Sequence, residues 1–122
     1  MVLNGAEIIT EILKAQSVDR VFYYSGDAVP EIQDALEASR DSIFSVLTAR
    51  GQSAVYAADG YSRVTGRTGL VIATGEAGKL NIITGIAAAY MDGVPMVAIV
   101  CRVYGNLTGT NSFRGDIALS IA

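Results

Sequence analysis

At 122 residues and 51% hydrophobic, the chain has material for one compact core and too little for two ordinary domains, so residues 1–122 read as a single domain. One cysteine, Cys101, and no histidine exclude an internal disulfide, a multi-cysteine metal site and the usual neutral-pH base, which leaves carboxylates or a cofactor for any catalysis. A net charge of −3 without a basic cluster excludes electrostatic capture of nucleic acid or an anionic membrane. With no apolar run near the ~20 residues of a membrane span and no basic n-region at the start, a cytoplasmic protein is expected.

Asn4 and Glu7 form a capping pair ahead of Ile8, Ile9, Ile12 and Leu13, whose spacing predicts a helix over residues 4–16. After a turn at Ser17-Val18-Asp19, the β-branched and aromatic run Arg20–Tyr24 predicts a strand, broken by Ser25-Gly26-Asp27. Pro30 suits the first turn of a second helix that buries Ile32, Ala35 and Leu36 and ends at Ser39-Arg40-Asp41-Ser42. Ile43 to Leu47 is a second strand. A helix from Gly51 to Thr65 follows, with a small-residue face of Ala54, Val55, Ala57 and Ala58, and Gly66 as its stop.

Leu70–Ala73 is a continuous apolar strand of the kind buried on both faces in parallel sheets. Gly75 and Gly78 are expected to bracket the loop after it, before a small-residue helix from Asn81 to Met91, a turn at Asp92–Pro95 and a fourth strand from Met96 to Val100. Strand and helix alternate, which predicts an α/β three-layer domain with a mostly parallel sheet flanked by helices. Ligands in such sheets bind beyond the carboxyl ends of the strands, here the loops 25–29, 48–52 and 74–79. A fourth loop, residues 102–112, is polar and glycine-rich. Tyr56, Tyr61 and Tyr90 are assigned to packing, Arg63 and Arg67 to solvent, and Cys101 to a small buried hydrophobe.

Gly75-Glu76-Ala77-Gly78-Lys79 lies between a strand and a helix, where backbone amides can hold phosphate. It has two residues between its glycines and Leu80 after the lysine, so it is no P-loop, and Glu76 would repel phosphate. A tight turn that lets helix and strand pack is the better reading.

Three segments, NGAEIITEILKAQSVDRVF, AADGYSRVTGR and ATGEAGKLNIITGIAAAYMDGVPMVAIV, together resemble the pyrimidine-binding domain of thiamine-diphosphate-dependent enzymes, acetolactate synthases in particular. The match runs colinearly from Asn4 to Ile117. It implies a domain that binds the cofactor's aminopyrimidine ring across a dimer interface, while a separate domain holds diphosphate and magnesium. The Gly-Asp-Gly motif of that second domain is absent, since Gly26-Asp27-Ala28 and Gly115-Asp116-Ile117 are not substitutes. By resemblance the chain is therefore half of a cofactor site, an apparently truncated domain that is inactive alone. It should pair with itself or with a partner chain carrying the diphosphate-binding domain, and it provides no metal ligand of its own.

In the resembled family a glutamate, in a His-Glu-Gln triplet, activates the pyrimidine ring; the corresponding residues here are Arg50-Gly51-Gln52. One branch, the glyoxylate carboligases, has an apolar residue there, so the loss need not end all activity. The resemblance carries cofactor contacts onto Ser25, Gly26, Asp27, Gly51, Gln52, Thr74, Gly75, Gly78 and Asn81. Asp27 and Glu76 are the carboxylates that could replace the lost acid; the plain alternative is two solvated loop charges. The family's substrate-side segment reads Gly109-Thr110-Asn111-Ser112-Phe113-Arg114, with a cation in place of an amide, so substrate identity does not transfer. A second function class stays open: a non-catalytic dimerisation module with a vestigial pocket, its small-residue helices serving self-association.

Overall fold

The structure is a computed structural model that describes residues 2–26 and 30–101. Its elements, in chain order, are α1 (Gly5–Ala15), β1 (Arg20–Tyr24), α2 (Pro30–Ala38), β2 (Phe44–Thr48), α3 (Gly51–Thr65), β3 (Gly69–Thr74), α4 (Gly75–Met91) and β4 (Met96–Cys101). The expected α/β architecture holds: the four strands pair in parallel in the order β2-β1-β3-β4. Among the described residues no helix is long and apolar enough to cross a membrane.

Local chemistry explains most of the boundaries. The Asn4 side chain accepts from the Glu7 amide at 2.9 Å while the Glu7 carboxylate accepts from the Asn4 amide at 2.8 Å, so α1 starts with two of its free donors satisfied. Gly66 ends α3 at a φ of 72°, a left-handed conformation that a side chain disfavours, and its amide donates back to the Ser62 carbonyl.

Strand alternation divides the interior in two. Val21 and Tyr23 of β1 join Leu70 and Ile72 of β3 on one face, under Leu13 of α1 and Ile32 and Leu36 of α2. Phe22, Val71 and Ala73 point the other way, under Ala54, Val55 and Ala58 of α3 and Ile82 of α4. Strand β3 is buried along its whole length. Each fully buried Val or Ile contributes about 1.5–3 kcal/mol, so this central strand is the main apolar anchor of the sheet. The chain adds β2 on one side of β1 and then returns to build β3 and β4 on the other. Right-handed crossovers turn that reversal into a change of face, which is why α2 covers one side and α3 and α4 the other.

Small residues let α3 and α4 approach closely. A methyl at Gly85 would overlap the Val55 side chain, and one at Gly51 would lie 3.0 Å from the Gly78 carbonyl oxygen. The small-residue faces assigned to self-association are therefore spent, in large part, on each other.

Several expectations need correction. Residues 75–79 are not a loop: α4 begins at Gly75, and Gly78 sits on the Tyr24 ring, where a Cβ would come within 2.8 Å of Cδ1. Tertiary packing here overrides the low helix propensity of two glycines. Arg63 and Arg67 are not simply solvent charges. Arg63 pairs with the buried Asp59 and reaches Asp92, the C-cap of α4, at 2.6 Å, while Arg67 pairs with Asp19 at 3.1 Å. Hydrogen bonding to Asp59, then to Asp92, raises the Arg63 pKa further, so it stays charged. Tyr61 does pack, edge-on to Phe22, and its hydroxyl donates to Asp19 at 2.8 Å; Tyr90 is 83% exposed and does not. Cys101 is half-buried against the α1–α2 side of the core.

Two consequences can be measured. Gly85→Ala is expected to lower the unfolding free energy by about 1–3 kcal/mol through overpacking, read from urea denaturation. The Tyr61 hydroxyl, with Arg67 and Arg20 adding to it, holds the Asp19 carboxyl below the ordinary carboxylate range. Its stabilisation is thus present above the unfolded value of about 3.9 and fades as pH falls through the lower folded value. The urea midpoints of the wild type and Asp19→Asn should differ at neutral pH and converge as pH drops below that range.

Candidate functional site

The strand order reverses between β1 and β3, and in sheets of this kind the crevice at such a point, beyond the strand C-termini, receives ligands. Here the two strands are clasped. The Gly26 amide donates to the Thr74 hydroxyl at 2.6 Å, and that hydroxyl lies 3.3 Å from the Gly26 carbonyl, to which it donates in turn. A Cβ at Gly26 would lie 3.1 Å from the Thr74 carbonyl carbon and 3.3 Å from Gly75 Cα, so backbone meets backbone. Thr74 is completely buried and its hydroxyl is occupied by this clasp. Gly75, at a φ of 74°, then turns the chain directly into α4.

A second threonine fixes the neighbouring entrance. Thr48 ends β2, and its hydroxyl is shared between the Tyr23 carbonyl at 3.1 Å and the Arg50 carbonyl at 3.0 Å. It ties β2 to β1 and sets the approach to Gly51. Gly51 is buried against the first turns of α4: its Cβ position faces the Gly78 carbonyl oxygen at 3.0 Å, Asn81 Cβ at 3.1 Å and Ile82 Cγ2 at 3.4 Å. Gly78 in turn rests on Tyr24 at the end of β1.

The sequence-derived residues thus fall into two linked groups. Ser25, Gly26, Thr74 and Gly75 meet at the β1–β3 clasp, Gly51, Gly78 and Asn81 meet where α3 approaches α4, and Tyr24 joins the groups. Gln52 follows Gly51 on α3, and its carboxamide oxygen is buried with no hydrogen-bond partner among the described residues. Ser25 is exposed, with its hydroxyl 3.4 Å from the Gln33 side-chain oxygen. Asp27, the 102–112 loop and the Gly109–Arg114 segment lie outside the described residues, as does the side chain of Glu76.

The electrostatics favour electron-rich groups. Neither Arg50 at the start of α3 nor Thr74 at the start of α4 caps its helix with a side chain, in contrast to Asn4 on α1. Two helix N-termini, with their partial positive charge and free amides, therefore meet at this edge. Among the described residues no group of three or more His, Cys, Asp or Glu side chains could hold a metal ion.

Sequence reasoning missed Thr48, Tyr23 and Tyr24. The Tyr23 hydroxyl is buried close to the Ser25 and Thr74 hydroxyls, with no hydrogen bond among the described residues, and burial pushes its pKa up. A signal for Thr48 was available: like Thr74, it ends a strand that neighbours β1, where a hydroxyl can reach across to the next backbone.

The family profile described as "Thiamine pyrophosphate enzyme, N-terminal TPP binding domain" matches residues 3–120. The acetolactate synthase large subunit of Haemophilus influenzae is 44% identical over 120 residues, which are 98% of this chain and 21% of that protein. The chloroplastic acetolactate synthase of Arabidopsis thaliana is 44% identical over 111 residues, covering 91% of this chain and 16% of that protein. The large subunit from Buchnera aphidicola (Acyrthosiphon pisum) gives 44% over 113 residues, 93% of this chain and 20% of that protein. The chain spans about a sixth to a fifth of the length of these curated relatives.

The clasp has a local readout. Thr74→Val removes the acceptor for the Gly26 amide, at a cost of about 1–3 kcal/mol for a buried donor left unpaired. Hydrogen exchange at Gly26 should accelerate roughly tenfold or more, while the β3 amides of Val71 and Ile72 keep their protection.

Proposed function

The chain belongs to the family of thiamine pyrophosphate enzyme N-terminal TPP-binding domains, and from that membership we propose that it holds the aminopyrimidine ring of thiamine diphosphate without supplying the acid that activates it. The observation that carries this reading is at Gly51. It stands where the resembled family has its glutamate, it has no side chain, and its Cβ position already faces the α4 backbone and Asn81.

The residues present fit the ring and not the proton transfer. An aminopyrimidine offers ring nitrogens as acceptors and an amino group as donor. The free amides at the starts of α3 and α4 suit the acceptors, and the buried Gln52 oxygen suits a donor. No described carboxylate occupies the entrance to α3. When bound, thiamine diphosphate supplies the nucleophilic carbon and electron sink with which 2-oxo acids are decarboxylated and joined. This chain's own part is to orient the ring: the Gly26–Thr74 clasp fixes the floor, and the Gly51–Gly78 contact fixes the wall.

In the complete protein we read an acetolactate-synthase-like carboligation, with diphosphate and magnesium held by a separate domain; residues 1–122 span about a fifth of the large-subunit relatives' length. A partner that carries that domain completes the site. A second reading, a non-catalytic interaction module, draws on exposed apolar side chains: Val64 at 86%, Tyr90 at 83% and Met91 at 80%.

Calorimetry of the complete assembly with thiamine diphosphate and magnesium separates the two readings, since the interaction module binds neither. On the cofactor reading, binding is measurable, and deuterium exchange at the thiazolium C2 is slower than in a glutamate-containing relative by about 10²–10⁴, the usual worth of a positioned acid or base. Exchange as fast as in that relative would show that another group replaces the glutamate. Replacing Asp27 and Glu76 together with alanine then identifies it: slower exchange assigns the role to one of them, and unchanged exchange assigns both to solvent.

A further inference from the structure

Loss of the acid at position 51 leaves one side chain at the start of α3 with an unmet polar requirement. Gln52 carries a carboxamide whose oxygen is sealed from solvent and finds no hydrogen-bond partner among the described residues. A buried acceptor without a donor is unfavourable, and native proteins retain such groups where a water, an ion or a ligand completes them. Helical spacing stacks Gln52 over Val55 and Asp59, on the flank of α3 that addresses α4. Val55 fills the space at Gly85, and Asp59 shares Arg63 with Asp92 at the end of α4. Gly51, one residue earlier, is closed off by Gly78, Asn81 and Ile82. The polar contact has thus no room at position 51 and a ready group at position 52.

We infer that Gln52 is the positioning residue of this site, accepting through its carboxamide oxygen a hydrogen bond from the amino group of a bound aminopyrimidine. The inference rests on the cofactor-ring reading above and adds to it the ring substituent that is recognised. A carboxamide is neutral and has no acidic proton to relay, so it selects and orients the ring but does not activate it.

The test compares two ligands and three proteins. Thiamine diphosphate and its 4-oxo analogue, in which the amino donor becomes a carbonyl acceptor, are titrated with magnesium into the complete assembly. The wild type should prefer the amino form by roughly 10- to 100-fold, because the analogue sets one buried acceptor against another. Gln52→Met keeps the length and removes the acceptor; its preference should fall to about threefold or less, with a smaller change in affinity for the analogue. Gln52→Glu keeps an acceptor and should keep the preference, which guards against a variant that only perturbs the fold. A preference that survives in Q52M, or that is absent from the wild type, overturns the role of Gln52 and assigns its oxygen to a buried water. Failure of the wild type to bind either ligand overturns the cofactor reading itself.

Discussion

The hydrogen bond from the Gly26 amide to the Thr74 hydroxyl spans the one place where this sheet reverses its order. Strands β1 and β3 are neighbours in space but separated in sequence by α2, β2 and α3, and their backbones touch through a glycine. The reversal changes the face on which helices pack, and the clasp brings the start of α4 against the end of β1. Because Thr74 spends its hydroxyl on Gly26, it leaves the first amides of α4 without a side-chain cap. A fold-closing contact thereby makes a binding edge.

The second constraint is the distance between α3 and α4. Gly51 and Gly85 let the two helices come together over their first three turns, and Arg63 fastens their far ends through Asp59 and Asp92. The pair is therefore fixed at both ends, with apolar contact between. The geometry of the α3 entrance follows from this seam rather than from a mobile loop: Thr48 sets the incoming chain, and the α4 backbone sets the depth.

Local chemistry was legible in the sequence and long-range chemistry was not. Strand β1 shows its own limits because a β-branched and aromatic run lies between two turns, and α3 shows its own end because Gly66 takes a left-handed conformation. The start of α4 was hidden by glycines that disfavour helix, until Tyr24, more than fifty residues earlier, was seen to require Gly78. The partners of Arg63 and Arg67 at separations of 29 and 48 residues leave no periodic trace, whereas the Asp59–Arg63 pair at i,i+4 was open to notice. At the candidate site, resemblance pointed to the right stretches. It could not show that Thr74 is consumed by Gly26, that Gly51 is walled in, or that the Gln52 oxygen lacks a partner among the described residues, because each depends on elements brought together by the fold.

The walled-in Gly51 also bears on how such a chain can change over time. Placing a side chain there takes more than one substitution: a new Cβ meets a backbone carbonyl, which cannot adopt another rotamer, and Ile82, which is only 1% exposed. Space would have to open on α4 first, through changes at Asn81 or Ile82 that bring no benefit by themselves. A side chain at position 51 thus depends on prior changes in the facing helix, so close packing acts as a latch that holds this position at glycine.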